Sequence, residues 1–528
     1  MKKQRIALVL WMLLAGSVLA GCANNGTVEE TTNSQGAGTT EAASEKSAED
    51  REEVTVRLAY YRATQPTDAA VTAIEDALTE LALEKFNTRI ELEVVSKADY
   101  PNYLNLALAG GEDLDWIQFG ASGMTLPTMY NSDQILALDD YISDDSPIWE
   151  YTTSEDLDCC RVGGDLVGIP AVKNKALSTA VFFRADVIDE LGLKDEVRNI
   201  KTLDDVESIL QALKKAYPDK YPFCTNTGKI NYKFYVDDLG DSTYLSGVLE
   251  DPMNDTTVKD LHETDVYREF CERMHRWYEN GWIDPDYETS SSTVNALIQN
   301  GESFACFSNN NIDIANASEE DKLSSEASQG WTCRLYQSAV SPFYSTSSYV
   351  NNHGWAMPYT CKNPERAMEI FEWLFSDKEA STLLTEGIAG VHYNVDSEGY
   401  AELIPNTEYE RLNWNGPNGY IALSTKEEGN IYELILDANK TATPSIGKGF
   451  MFDNSNVATQ VAAVANVDAK YAKGLQGGAL DPEESLPFSK EIYNERKCTV
   501  CKKEHKKNLH GIFAVLYHDD TRSNLFDY

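Results

Sequence analysis

VTVRLAYYRATQPTDAAVTAIEDALTELALEKFNTRIELEVVSKADYPNYLNLALAGGEDLDWIQF, residues 54–119, is the stretch that decides the fold. Val54, Val56, Leu58 and Tyr60 alternate with partners of the other face, the period of a strand. Ala69 to Lys85 carries helical spacing, and Ile90 to Val95 is a second strand. A helix from about Tyr100 to Ala109 leads to a third short strand, Asp115 to Phe119. Strand, helix, strand, helix, strand implies a parallel α/β sheet. Ligands of such sheets gather beyond the carboxyl ends of the strands, which singles out Tyr60, Tyr61 and Trp116.

The pattern resumes near Lys175. Thr179 to Phe183 reads as a strand, and Thr202-Leu203-Asp204-Asp205 as a helix start with a capping hydroxyl and an acidic first turn. That helix runs to about Ala216. Another spans Val266 to Glu279 and stops at Asn280-Gly281, as a helix end should. Ser303 to Phe307 reads as a buried strand. Asn363-Pro364 opens a helix in which Ala367, Ile370, Phe371 and Leu374 form an apolar stripe.

The 528 residues hold 85 Asp and Glu against 45 Lys and Arg, a net charge of −40. So acidic a surface repels phosphate backbones and anionic head groups, which argues against nucleic acid as a partner. Hydrophobic residues at 42% supply a packed core. After residue 22 no apolar run is long enough to cross a bilayer. Before it, Lys2, Lys3 and Arg5 precede an apolar stretch, Ile6 to Leu19, and then Leu19-Ala20-Gly21-Cys22. This is the grammar of an export signal, and the last four residues resemble the bacterial lipobox, which implies residues 1–21 as signal and a lipid on Cys22. Residues 22–52 are small, polar and acidic, a flexible tether with a mean reach of roughly 30 Å. The other cysteines, at 159, 160, 224, 271, 306, 333, 361, 498 and 501, are odd in number and show no disulfide framework, so mostly free thiols are expected.

VFFRADVIDELGLKDEVRNIKTLDDVESILQALKKAYP (181–218), MHRWYENGWIDPD (274–286) and NNHGWAMPYTCKNPERAMEIFEWLFSDKEAS (351–381) resemble the extracellular solute-binding proteins of ABC importers. With the lipobox, the chain resembles their family 1, the carbohydrate-type binding lipoproteins; TLLTEGIAGVHYNVD (382–396) is similar to a subgroup of them. The resemblance runs from about Val54 to Pro487. It implies a two-lobe α/β fold of the type II periplasmic-binding-protein kind, with hinge strands and ligand enclosed between the lobes. By that analogy lobe 1 is 53–173 with 358–410, and lobe 2 is 174–357 with 411–489. The first crossing lies near Pro170 to Ser178 and the return near Asn351 to Pro358. Such a receptor works by closing on its ligand without making or breaking a bond, and an ABC permease receives the closed form. The resemblance implies a monomer on the extracytoplasmic face of the membrane, with no cofactor.

A sugar presents hydroxyls around an apolar C–H face, so its site needs flat aromatics and directional polar groups. The candidates are Tyr60, Tyr61, Trp116, Tyr244, Asn310, Trp355 and Trp414. Any one of these aromatics also has a bland reading, as core or domain packing. Trp282 is assigned to packing, sealing the end of its helix. Walker, Gly-x-Gly-x-x-Gly, His-Glu-x-x-His and Gly-x-Ser-x-Gly motifs are absent from the sequence. Asp284 and Asp286 read as a loop cap, although so many acids leave a glycan-cleaving enzyme open. A receptor for peptides or another polar solute is the other alternative, because fold does not fix ligand. Residues 490–528 depart from the family. Cys498, Cys501, His505 and His510 are metal-ligand types at short spacing, an arrangement near a zinc knuckle. The abrupt change of composition favours instead a frame-shifted or read-through tail without a selected role.

Overall fold

The computed structural model describes Ala48 and residues 51–487, except 64, 121–123, 226–234, 241–246, 328–331, 406, 410, 412–413 and 454–457. The lipobox, Tyr244 and the Cys/His cluster of the tail lie outside the described residues, and so does the side chain of Asn310. The elements that carry the site are β1 (Val54–Arg62), α1 (Asp68–Phe86), β2 (Thr88–Ser96), α2 (Tyr100–Gly110), β3 (Trp116–Phe119), β4 (Ile169–Pro170), β5 (Ser178–Arg184), α3 (Leu203–Ala216), β6 (Phe223–Cys224), α4 (Asp265–Glu279), β7 (Ala305–Asn310), β8 (Leu335–Ala339), β9 (Gly354–Ala356), α5 (Pro364–Ser376) and α6 (Ala458–Gly477).

They form two separate sheets. The first has the order β2-β1-β3-β9-β4, with β1 parallel to both β2 and β3 as the opening stretch implies. β9 then joins antiparallel to β3 and to β4. Parallel strands joined by helices are covered on both faces, so alternate residues are buried alike. Val56, Leu58, Tyr60 and Tyr61 all are. One core joins them to Ile74 and Leu78 of α1, Leu104 of α2, and Ile370, Phe371 and Leu374 of α5.

The second sheet has the order β8-β5-β7-β6. β5 runs antiparallel to both neighbours, and β6 is parallel to β7. α3 begins at the expected place. The Thr202 hydroxyl caps one end of its first turn, while Asp205 accepts the N–H groups of Lys201 and Thr202. Its Val206, Ile209, Leu210 and Leu213 enter the second core, beside Met274 and Trp277 of α4. α4 ends at Asn280, and Gly281 turns the chain with a φ of +66°. Trp282 packs 6.3 Å from Trp277 in the same core, the sealing role read from the sequence.

α6 comes from the far end of the chain and packs on α4, contributing Leu475 to the second core. A buried ion triad fixes it there. His262 sits between Asp260 and Asp468, with ring nitrogens 3.0 and 3.1 Å from their carboxylates. Burial alone would pull the imidazolium pKa down, but the two carboxylates outweigh it and raise it to about 9. Among the described residues Cys159, Cys160, Cys224, Cys271, Cys306, Cys333 and Cys361 are free thiols, as expected.

A group whose pKa is raised on folding stabilises fully below its unfolded value and loses that contribution as pH rises through the folded one. The His262 triad should therefore contribute about 3 kcal/mol at pH 6 and lose most of it by pH 9.5. In an Asp468→Asn chain the drop in Tm relative to wild type should be largest at pH 6 and shrink as pH rises to 9.5. Scanning calorimetry at both pH values checks this, and a pH-independent difference would be the contrary result.

Candidate functional site

β1 and β3 end side by side, and their ends are held by a hydrogen-bonded knot of amides. Gln118, fully buried, accepts the Tyr61 N–H at 3.2 Å through Oε1. Its Nε2 donates to the Asn415 carbonyl, and Asn415 Nδ2 donates to the Tyr61 carbonyl at 2.9 Å. The loop that carries Trp414 is thereby tied to the carboxyl edge of the first sheet. Gly120, with φ +92°, allows the close approach of the segment that carries His353. A Cβ there would stand 1.9 Å from the Asn352 carbonyl oxygen.

Four side chains converge at this edge. The Tyr61 hydroxyl and His353 Nδ1 are 2.9 Å apart. The His353 ring lies 4.8 Å from the half-buried Trp414 ring. Exposed Lys97 places its Nζ 5.5 Å from the centroids of both Tyr61 and Trp414. Burial pushes the Tyr61 phenol well up, so at neutral pH it keeps the proton it shares with the imidazole. The arrangement offers a partly open indole face, an imidazole and an ammonium, which suits a polyhydroxylated ring.

The sequence candidates divide. Tyr61 and Trp414 come together, with Tyr61 closed off beneath Trp414 and His353 as support. Tyr60, Trp116 and Trp355 are placed in the first core instead. Trp116 stacks on Phe371 at 4.3 Å and its indole N–H donates to the Ala367 carbonyl. Tyr60 lies 5.9 Å from Trp355 and its hydroxyl is 3.1 Å from that of Tyr409, with the Arg62 guanidinium over both tyrosine rings. A sheet covered on both faces takes up aromatic side chains along its strands, leaving only the strand ends for a ligand. The backbone of Asn310 ends β7 opposite Ser178, where the chain enters the second sheet. Asp284 Oδ1 accepts the Asp286 N–H at 2.9 Å, the loop cap expected of that pair. His353, Gln118, Asn415 and Lys97 were missed. Asn-His-Gly-Trp in the return segment was the available signal for His353.

Beside this edge the chain passes between the two sheets. Ala171 N–H donates to the His353 carbonyl and Val172 N–H to that of Pro417, each at 3.1 Å. Leu177 and Tyr344 exchange backbone hydrogen bonds. Two lysines are buried in this passage. Lys175 Nζ meets Asp156 at 2.8 Å, and Lys448 reaches the other oxygen of the same carboxylate at 2.8 Å. Burial alone would raise the Asp156 pKa, but the two ammonium groups hold it at about 2. Among the described residues Lys173 meets only the carbonyls of Tyr349 and Asn174, at 2.8 and 3.0 Å. Burial, aided by repulsion from Lys175, lowers its pKa to about 7.

Comparison with known proteins places this geometry. The family model described as bacterial extracellular solute-binding protein matches residues 76–395, and a domain of unknown function matches 446–495. A carbohydrate ABC transporter substrate-binding protein of Streptococcus pneumoniae is 21% identical over 420 residues, covering 76% of this chain and 80% of that one. The polygalacturonan/rhamnogalacturonan-binding protein YtcQ of Bacillus subtilis is 24% identical over 409 residues, covering 74% of each. In fold, the chain resembles the crystal structure of the N-glycan transport solute binding protein of S. pneumoniae. Its TM-score is 0.73 at 18% identity, over 87% of this chain and all of the other.

Lys173 gives a test of the passage. A lysine whose pKa is depressed on folding costs stability at low pH, and that cost fades as pH rises from about 7 towards the unfolded value. Lys173→Met should be more stable than wild type at pH 6.5, and the advantage should shrink steadily towards pH 10. Chemical denaturation at four pH values reads it; an advantage that grows with pH would contradict the assignment.

Proposed function

The chain belongs to the bacterial extracellular solute-binding protein family, and on that premise we propose that it is the capture subunit of an ABC importer for an oligosaccharide. It closes over the sugar and hands it unaltered to the transmembrane permease. The observation that carries the reading is the cluster of Trp414, His353, Lys97 and Tyr61. It stands at the carboxyl edge of the first sheet, directly beside the backbone that crosses to the second. Relatives named for carbohydrates and for pectic polymers support a sugar as the guest.

In this reading Trp414 stacks on the sugar ring, and Asn310 and Tyr244 are further contacts to it. Tyr61 positions His353 and Trp414. The lobes follow 53–173 with 358–410 and 174–357 with 411–489 as the resemblance implies, except that Gly354–Met357 and the loop of Trp414 and Asn415 go with the first lobe, because they pair with and pack on the first sheet. The strand Gly354–Ala356 pairs with the first sheet and carries the return. Cys22 bears the lipid, residues 23–52 are the tether, and the receptor works as a monomer without catalytic residues. The tail from 490 has no part in capture.

A thermal-shift screen over neutral and acidic oligosaccharides and peptides tests the proposal. A ligand that binds only the folded state raises Tm, by about 2.7 kcal/mol of stability at a hundred times its Kd. An oligosaccharide should give the largest rise, recovered intact afterwards. Trp414→Ala should lose about tenfold or more in affinity, with the Tm of the free protein little changed. New reducing ends in the recovered sugar, or a response to peptides alone, would overturn the reading.

A further inference from the structure

β3 reads Trp116-Ile117-Gln118-Phe119, and all four residues are buried. Gln118 carries the amide of this otherwise apolar strand and is 1% exposed. A buried amide costs stability unless its N–H groups and oxygen find partners, so an apolar residue would be the cheaper choice here. The backbone of Gln118 does not need the side chain. Its N–H donates to the Tyr100 hydroxyl at 2.9 Å, and that hydroxyl in turn lies 3.1 and 2.9 Å from the Gln118 and Ala59 carbonyl oxygens.

The side chain serves two segments far apart in sequence. Oε1 accepts the Tyr61 N–H, Nε2 donates to the Asn415 carbonyl, and Asn415 Nδ2 closes the ring on the Tyr61 carbonyl. Both the main chain and the side chain of Asn415 are thereby pinned, and Trp414 is its neighbour. Residues 414–419 form neither helix nor strand, yet Asn415 to Gly419 are buried. A buried loop has to find partners for its backbone outside itself. Val172 N–H takes the Pro417 carbonyl at 3.1 Å, and the Ser381 hydroxyl takes that of Asn418 at 2.6 Å. Those two bonds fix the far end of the loop, whereas Gln118 fixes the end that carries Trp414.

We propose that Gln118 is a positioning residue for capture: acting through Asn415, it sets the direction of the Trp414 ring that meets the guest, while lying beneath the site and touching no guest itself. The inference rests on the receptor reading above. Directional bonds between two planar amides and one strand end leave the loop little freedom to turn. An apolar side chain at 118 would fill the space but leave the Asn415 carbonyl and the Tyr61 N–H without their partner. The loop would then lose its register on the sheet edge, and the indole its fixed place beside His353.

The test uses the full chain and the oligosaccharide that gives the largest shift in the screen, measured by titration calorimetry. Gln118→Met should bind about tenfold more weakly. In a Trp414→Ala background the same change should alter affinity by less than about twofold, because the ring it positions is gone. Gln118→Glu is the conservative variant. At pH 5 its buried carboxyl is protonated and donates to Asn415 as the amide does; at pH 9.5 it is ionised and cannot. Its affinity should therefore match wild type at pH 5 and fall about tenfold below it at pH 9.5. Comparison with wild type at each pH removes the titration of His353 and Lys97, which both chains share. Fluorine NMR of chains labelled with fluorotryptophan needs no guest. The Trp414 resonance, assigned by its loss in Trp414→Phe, should shift or broaden in Gln118→Met while that of Trp277 in the second core stays in place. Wild-type affinity in Gln118→Met, equal losses in the two backgrounds, or an unmoved Trp414 resonance overturns the positioning role and leaves the receptor reading standing. If no oligosaccharide binds the wild-type chain, the receptor reading falls and the role with it.

Discussion

A parallel sheet wrapped by helices on both faces has no free surface except its ends, and that constraint arranges everything else in the first half of the molecule. β1 and β3 carry large aromatics along their length, and these are absorbed into packing against α1, α2 and α5. Only where the strands stop does a ring become partly accessible, and there it has to be brought from elsewhere in the chain. Trp414 arrives on a loop held by Gln118 and Asn415, and His353 on the segment leading into β9. The candidate site is thus assembled from distant pieces of the chain, because the covered strands leave no room along their length.

The passage between the sheets follows a different logic. It buries ammonium groups, where apolar packing would have cost less. Lys175 and Lys448 share one carboxylate, Asp156, each bonding one of its oxygens. Among the described residues Lys173 is held by two carbonyls, and burial brings its pKa down to about 7. Directional hydrogen bonds to backbone carbonyls keep the strands in register while leaving torsions free.

Much of this was legible in the residues. The strand–helix alternation of 54–119, the capped start at Thr202 and the stop at Asn280-Gly281 rest on local rules, and each stands where those rules put it. The resemblance to solute-binding proteins followed from the order of such local features. The division of the aromatics into core and site was not legible. Trp116 and Trp414 differ in neither type nor propensity, and only the second lies beyond a strand end. Nor could the sequence show that Gln118 and Asn415 meet, since a pairing of amides far apart in the chain leaves no local trace. His353 went unnoticed because nothing local marks a lone histidine of the return segment as meeting a distant strand end.

The arrival of α6 on α4 has a consequence for how the molecule is made. Val181 and Leu475 belong to one core, so the second sheet cannot finish burying its apolar face until nearly the whole chain is available. A nascent chain holds a completed first sheet only after β9 is added, and an unfinished second body until α6 docks. Long-range closure of this kind is slow. During that interval the faces of Met274 and Trp277 stand open to chaperones and to misassociation.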